Sequence, residues 1–198
     1  MRFVLASASP ARLETLRRAG AAVEVIVSGV DEDGVTAERT GELVGRLADL
    51  KARAVADRLS GDALVLGCDS LLDVDGEPIG KPGSPDAAAQ RWRHLRGRTG
   101  TLHTGHCLID TGTARTVTRS VATTVRFADV TDAEIEVYCA SGEPSAVAGA
   151  FTVDRLGGWF VESLEGDHHN VVGVSLPALR GMLRELGHGL DAIGYPGR

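Results

Sequence analysis

A mixed α/β fold, with a twisted sheet flanked by helices, is the architecture that three features of the sequence predict. Short apolar runs rich in Val and Leu alternate with segments of helical spacing through the first hundred or so residues. Two long Thr- and Val-rich runs follow one another in the middle of the chain. Capping residues bound most of the helical segments. The 198 residues, 43% hydrophobic and 24% charged, suffice for one substantial core. No repeat of fixed period and no Pro- or Ser-rich linker cuts the chain in two.

Phe3-Val4-Leu5 reads as a short buried strand. Ser9 suits an N-cap, Pro10 the first helical position and Gly20 the C′ position, so a helix from Ala11 to Ala19 lies between them. Val23 to Val27 is a second strand, and an acidic, irregular stretch runs from Gly29 to Arg39. Leu43, Leu47, Leu50, Ala54 and Val55 recur at helical spacing over Glu42 to Leu59, which leaves Lys51 beside the apolar stripe. Ala63 to Leu66 is continuously apolar until Gly67-Cys68-Asp69, the pattern of a strand covered on both faces whose acidic end meets a crevice. Leu71 to Gly80 resembles a hairpin about Asp75-Gly76. Ser84-Pro85 opens a helix through Leu95 that Gly97 stops. Thr99 to Asp110 and Ala114 to Val130 are two antiparallel strands, and Thr131 to Glu134 is a capping box for a helix reaching about Cys139. Gly149 to Val153 and Trp159 to Leu164 are strand-like, the last helix lies near Pro177 to Leu186, and the Gly-rich residues from His188 read as a loose tail. The expected organisation is one two-lobed domain over residues 1–187 and a flexible tail over 188–198.

A formal net charge of −6 leaves no basic footprint for a nucleic-acid partner. The longest apolar runs fall far short of the roughly 20 residues of a membrane helix. The polar residues after Ala6 do not continue a signal peptide. Cys68, Cys107 and Cys139 are odd in number and without a CxxC pair, so a reducing cytoplasm is expected.

Three places carry candidate chemistry. Ser7-Ala8-Ser9-Pro10-Ala11-Arg12 sets hydroxyls, helix N–H groups and a guanidinium where the first strand becomes a helix, which is suited to an anion. Asp69 follows a buried strand, where a carboxylate holds Mg²⁺ or orients water. Lys81, in Gly80-Lys81-Pro82, offers an ammonium to phosphate. Gly76 to Pro82 is one residue short of a P-loop and lacks its Ser or Thr. Asp73 and Asp75 resemble the nucleophilic pair of an aspartate-dependent phosphomonoesterase, but Glu77 stands where such enzymes carry Thr, and a turn explains them. His103/His106 and His168/His169 face opposite ways on a strand and read as structural or exposed histidines rather than metal ligands. Arg91 to Arg98 reads as a solvated helix end and Trp92 as core.

Together, Leu5 to Arg12, Glu32, Glu42…Lys51-Ala52, Gly67-Cys68-Asp69-Ser70, Gly80-Lys81-Pro82, His103-Thr104-Gly105, Glu134…Glu143, Ala148-Gly149-Ala150-Phe151 and Leu164-Glu165-Gly166-Asp167…Asn170-Val171-Val172-Gly173 resemble the Maf family of nucleoside triphosphate pyrophosphatases. The resemblance spans about residues 3–187. It implies two lobes around a cleft, akin to the inosine triphosphatase type, and hydrolysis of a nucleoside triphosphate to monophosphate and pyrophosphate with Mg²⁺ or Mn²⁺. By the family pattern Asp69 is the catalytic carboxylate, Ser9, Arg12, Lys51 and Lys81 bind phosphate, and Glu32 with Asp69 holds metal. A homodimer is also implied. The positions that differ between family branches are here Ala11, Ser70 and Asp154. They match neither the dTTP- and UTP-directed set (Arg, Thr, Gln) nor the 7-methyl-GTP-directed set (an aromatic, Gln, Glu). The alternative reading is a non-catalytic nucleotide-binding regulator of cell division, a role with which the family is associated.

Overall fold

The computed structural model describes residues 1–196. Its strands are β1 (Arg2–Leu5), β2 (Val23–Val25), β3 (Ala63–Val74), β4 (Glu77–Ile79), β5 (Thr99–Asp110), β6 (Arg115–Phe127) and β7 (Val161–Glu165). They form one mixed sheet in the order β2-β1-β3-β5-β6-β7, with β4 added to β3. The helices are α1 (Pro10–Arg18), α2 (Thr40–Ala56), α3 (Pro85–Leu95), α4 (Asp132–Ala140), α5 (His168–Val172) and α6 (Leu176–Leu186). The chain divides into two compact units, one of Met1–Asp69, Thr104–Val121 and the described residues from Gly173, the other of Ser70–His103 and Ala122–Val172. No helix among the described residues is long and apolar enough to cross a membrane.

In the first unit β1 runs parallel to both β2 and β3, pairing Phe3 with Val23 and with Leu64. Strand alternation then sorts side chains between two layers. Phe3, Leu5, Leu64 and Leu66 pack with Leu16 of α1 and with Leu179, Met182 and Leu183 of α6. Val4, Ala6, Ala63 and Val65 pack with Ala48, Ala52 and Val55 of α2. That double cover accounts for the continuous apolar run of β3. Helix α2 lies unusually close to the sheet. A β-carbon on Gly67 would overlap the Ala48 carbonyl oxygen and lie 2.8 Å from the Ala52 nitrogen, and one on Gly105 would overlap the Val44 carbonyl. Only glycine fits at either point.

The expected caps are present: Ser9 accepts from Arg12 N, Ser84 from Ala87 N, and Thr131 and Glu134 close a capping box. Helix α6 starts at Leu176, where Ser175 caps it by accepting from Ala178 N. The glycine-rich end is not a loose tail as far as residue 196. A 3-10 turn spans Leu190–Ile193, Ile193 is buried in the core and its carbonyl accepts from Ala22 N at 2.8 Å. His188 Nε2 lies 2.9 Å from Asp110 Oδ2. Gly197 and Arg198, also expected to be loose, lie outside the described residues.

In the second unit β3 and β4 join through Asp75 and Gly76, both at positive φ (+57° and +87°), as the hairpin reading requires. Asp73 Oδ1 accepts from Gly76 N, and Asp75 pairs with Arg98, so these acids shape the turn. Trp92 is core, edge-on to Phe127, Tyr138 and Phe160, with its Nε1 donating to the Ala150 carbonyl at 2.7 Å. The strand expected over Gly149 to Val153 is absent. Gly149 and Ala150 both take left-handed backbone (φ +68° and +62°), which breaks an extended run and leaves a 3-10 turn at Ala148–Ala150. His168 and His169 begin the short α5, not a strand.

Glu143 organises the stretch that follows. Its carboxylate accepts from Tyr138 Oη (3.0 Å), Thr152 Oγ1 (2.6 Å), Gly157 N (3.0 Å) and Leu156 N (3.3 Å). Burial alone pushes this carboxyl up, but those donors outweigh it and hold Glu143 below its ordinary value of 4.5. A depressed acid contributes stability above that value and loses it as pH falls through the folded value. Glu143→Ala is therefore expected to lower urea stability by about 1–3 kcal/mol at pH 7, with the gap to the parent closing below about pH 4. Gly67→Ala is expected to cost about 1–3 kcal/mol or more at any pH, through overpacking against α2.

Candidate active site

The first unit gathers its candidate residues around the ends of β1 and the middle of β3. Where β1 gives way to α1, Ser7 Oγ accepts from Ser9 N at 3.2 Å and Ser9 Oγ accepts from Arg12 N at 3.4 Å, which caps the first turn of a nine-residue helix. Arg12 folds back from that turn. Its Nε donates to the Gly173 carbonyl (2.8 Å), and its Nη1 to Ser7 Oγ and the Cys68 carbonyl (both 3.0 Å). The bond to Cys68 brings the guanidinium to the residue next to Asp69. Ala11 is half-buried in the same turn.

Asp69 does not end its strand, as the sequence reading expected: β3 continues to Val74 because Leu72 and Val74 carry the buried alternation onward. Asp69 lies two residues beyond Gly67 and so shares its face, the one under α2. Lys51, one turn along α2 from Ala48, reaches it there, with Nζ 2.6 Å from Asp69 Oδ1. The same Nζ lies 2.9 Å from Glu32 Oε1, so one ammonium bridges two carboxylates. The Lys51 and Asp69 side chains are only 10% and 12% exposed, whereas Glu32 is 47% exposed, so the cluster opens to solvent on the Glu32 side. Glu32, Lys51 and Asp69 are thus linked by short polar contacts, and Arg12 reaches the carbonyl of Cys68, the residue before Asp69. Two carboxylate oxygens aimed at one cation are hard donors of the kind Mg²⁺ and Mn²⁺ take. No group of three or more His, Cys, Asp or Glu side chains that could hold a metal occurs among the described residues, so the rest of a shell here would come from phosphate and water.

Ser70, Lys81 and Asp154 belong to the second unit. Ser70 follows Asp69 in β3 and is half-buried; Lys81 and Asp154 are exposed. The loop carrying Lys81 is tied down on both sides, since the Gly80 carbonyl accepts from Gly149 N (3.2 Å) and Arg91 Nη1 (2.6 Å), and Gly83 N donates to the Ser145 carbonyl (3.0 Å). His106 is structural, its buried Nε2 accepting from Ser175 N at 2.8 Å. The sequence reading missed Gly173 and the anchoring role of Ser7. It also missed Gly67, although a glycine inside an apolar strand signals a close backbone approach.

The chain matches the sequence profile of the family described as Maf-like protein over residues 2–186. A nucleoside triphosphate pyrophosphatase of Streptomyces coelicolor is 53% identical over 196 residues, covering 98% of this chain and 95% of that protein. One from Salinispora tropica is 54% identical over 190 residues, covering 94% and 84%. In fold the chain resembles the Ham1 protein of Staphylococcus aureus (TM-score 0.53, 16% identity, 94% of this chain and 100% of that one). It also resembles a HAM1 protein of Coxiella burnetii (TM-score 0.51, 16% identity, 93% and 99%).

Burial pushes the Cys68 thiol up to about 11 and the Cys107 thiol up to about 12, so neither supplies a thiolate at neutral pH. Incubation of the native protein with iodoacetamide at pH 7.5 is expected to leave both unmodified by mass spectrometry; rapid labelling of Cys68 would give it a chemical role.

Proposed function

The chain belongs to the Maf-like protein family, and we propose that it hydrolyses a nucleoside triphosphate to the monophosphate and pyrophosphate. The observation that carries this reading is the bridge of Lys51 between Glu32 and Asp69, with Arg12 held beside Asp69 through the Cys68 carbonyl. A triphosphate brings several negative charges, and Arg12, Lys51 and the N-terminus of α1 offer countercharge within one connected cluster. Lys81 stands at the further phosphate-binding position of the family pattern.

Water attacks the α-phosphorus, its proton passes to the Asp69 carboxylate, and the bond from the α-phosphorus to the α,β-bridging oxygen breaks, so that this oxygen leaves on pyrophosphate. Lys51 orients the Asp69 carboxylate by donating to Oδ1. A divalent cation bound by Glu32 and Asp69 would neutralise charge developing on the leaving pyrophosphate. Ala11, Ser70 and Asp154 stand at the positions that differ between family branches of different base preference. A cytoplasmic location is part of this reading, supported by three free, buried cysteines.

Incubation with a panel of nucleoside triphosphates, modified bases included, is expected to yield monophosphate and pyrophosphate in equal amounts; diphosphate and orthophosphate would overturn the reading. Asp69→Asn is expected to lower kcat by about 10²–10⁴-fold while still binding nucleotide. A parent that binds nucleotide but turns over none would favour the regulatory alternative. Chelation by EDTA is expected to abolish turnover. Lys51→Met should bind Mn²⁺ without nucleotide at least about tenfold more tightly, read by electron paramagnetic resonance, because the ammonium no longer competes for the two carboxylates.

A further inference from the structure

Arg12 is gripped at more points than a phosphate-binding side chain needs in order to be charged. Its Nε donates to the Gly173 carbonyl at 2.8 Å, and its Nη1 donates both to Ser7 Oγ and to the Cys68 carbonyl at 3.0 Å. A guanidinium is a planar fork, so acceptors on two of its nitrogens set the orientation of the whole plane. Gly173 acts twice over. Its backbone has φ +123°, a conformation that side-chain-bearing residues rarely adopt, and a β-carbon there would lie 3.1 Å from Arg12 Nε and 3.3 Å from Cγ. The absence of a side chain is therefore what lets the arginine pass over this residue and meet its carbonyl. Ser7 also acts twice, since the oxygen that accepts from Arg12 accepts from Ser9 N at 3.2 Å. One hydroxyl thereby locks the arginine to the turn that opens α1.

We propose that Gly173 and Ser7 are positioning residues for Arg12, holding its guanidinium in the orientation that receives the triphosphate. The proposal rests on the function proposed above. A long side chain fixed before the substrate arrives avoids the ordering cost that a free arginine would incur on binding, and it keeps reacting groups aligned. Both residues act through Arg12 and neither needs to touch substrate. Their loss should therefore matter only while Arg12 is present.

A double-mutant cycle on the full-length protein tests this, with kcat and KM measured on the best nucleotide of the panel. Gly173→Ala and Ser7→Ala are each expected to lower kcat/KM roughly 10- to 100-fold, as displacement of a substrate-binding group does. Adding either change to Arg12→Ala is expected to leave kcat/KM within about twofold of Arg12→Ala alone. A merely structural role would multiply the losses, and multiplicative losses overturn the proposal. Far-ultraviolet circular dichroism and the thermal midpoint accompany each variant; if Gly173→Ala does not fold, the Ser7→Ala cycle decides by itself. The same cycle is run on the affinity for inorganic pyrophosphate by calorimetry, which needs no turnover. A parent that binds pyrophosphate but cleaves no nucleotide refutes the pyrophosphatase reading, and the positioning roles then stand or fall on coupling in affinity. A parent that neither cleaves nor binds overturns both.

Discussion

The site depends on how closely one helix can approach one strand. Gly67 and Gly105 remove the side chains that would hold α2 away from the sheet, and the Ala48 and Val44 carbonyls occupy the space released. From that height Lys51 reaches Asp69, which lies two residues along from Gly67 on the same face of β3. Lys51 is the polar member of an otherwise apolar stripe with Ala48, Ala52 and Val55. Its burial follows from the packing, and the ion pair follows from its burial. A larger residue at position 67 would lift the helix and separate the pair, so a packing constraint in the core sets the electrostatics of the site.

A lysine and an aspartate so nearly buried add little net stability, because desolvation offsets most of their attraction. Their value lies in position. The ammonium satisfies Asp69 and Glu32 together, leaving three charges with a net charge of −1 in a cluster open only on the Glu32 side. Arg12 offsets part of that excess from the neighbouring residue and presents cationic surface next to the carboxylate that the proposed chemistry uses. Cationic and carboxylate side chains are thus held close to one another by β1, α1, α2 and β3.

Much of this was legible in the sequence because it obeys local rules. Ser9, Ser84 and the Thr131–Glu134 box mark helix starts through side-chain bonds to nearby amides, and Asp75-Gly76 marks a turn by its backbone preference. What escaped was set by tertiary contact. The tail from His188 has the composition of a loose segment, yet Ile193 finds a place in the core and its carbonyl finds Ala22. Asp69 looked like a strand terminus because the apolar run stops there, whereas the buried alternation resumes at Leu72. Ser9, Arg12, Glu32, Lys51 and Asp69 stand out by residue type and family likeness; in the structure Lys51 joins Glu32 to Asp69, and Arg12 bonds to the carbonyl of the residue before Asp69. The grip of Gly173 on Arg12 joins residues 161 apart and had no local signature.

The misread stretch after Ala148 shows how this fold holds a segment that is neither helix nor strand. Left-handed Gly149 and Ala150 break extension, and the chain beyond would be loose without an internal anchor. Glu143 is that anchor, since it binds Thr152, Leu156 and Gly157 with one carboxylate. Gly157 has no side chain because a β-carbon there would overlap the Tyr138 hydroxyl, itself bound to Glu143. Asp154 sits between two of these anchored residues. An exposed side chain on a segment fixed at both ends is presented in few orientations. The presentation of Asp154 then depends on the Glu143 carboxylate eleven residues earlier, which holds the residues on either side of it.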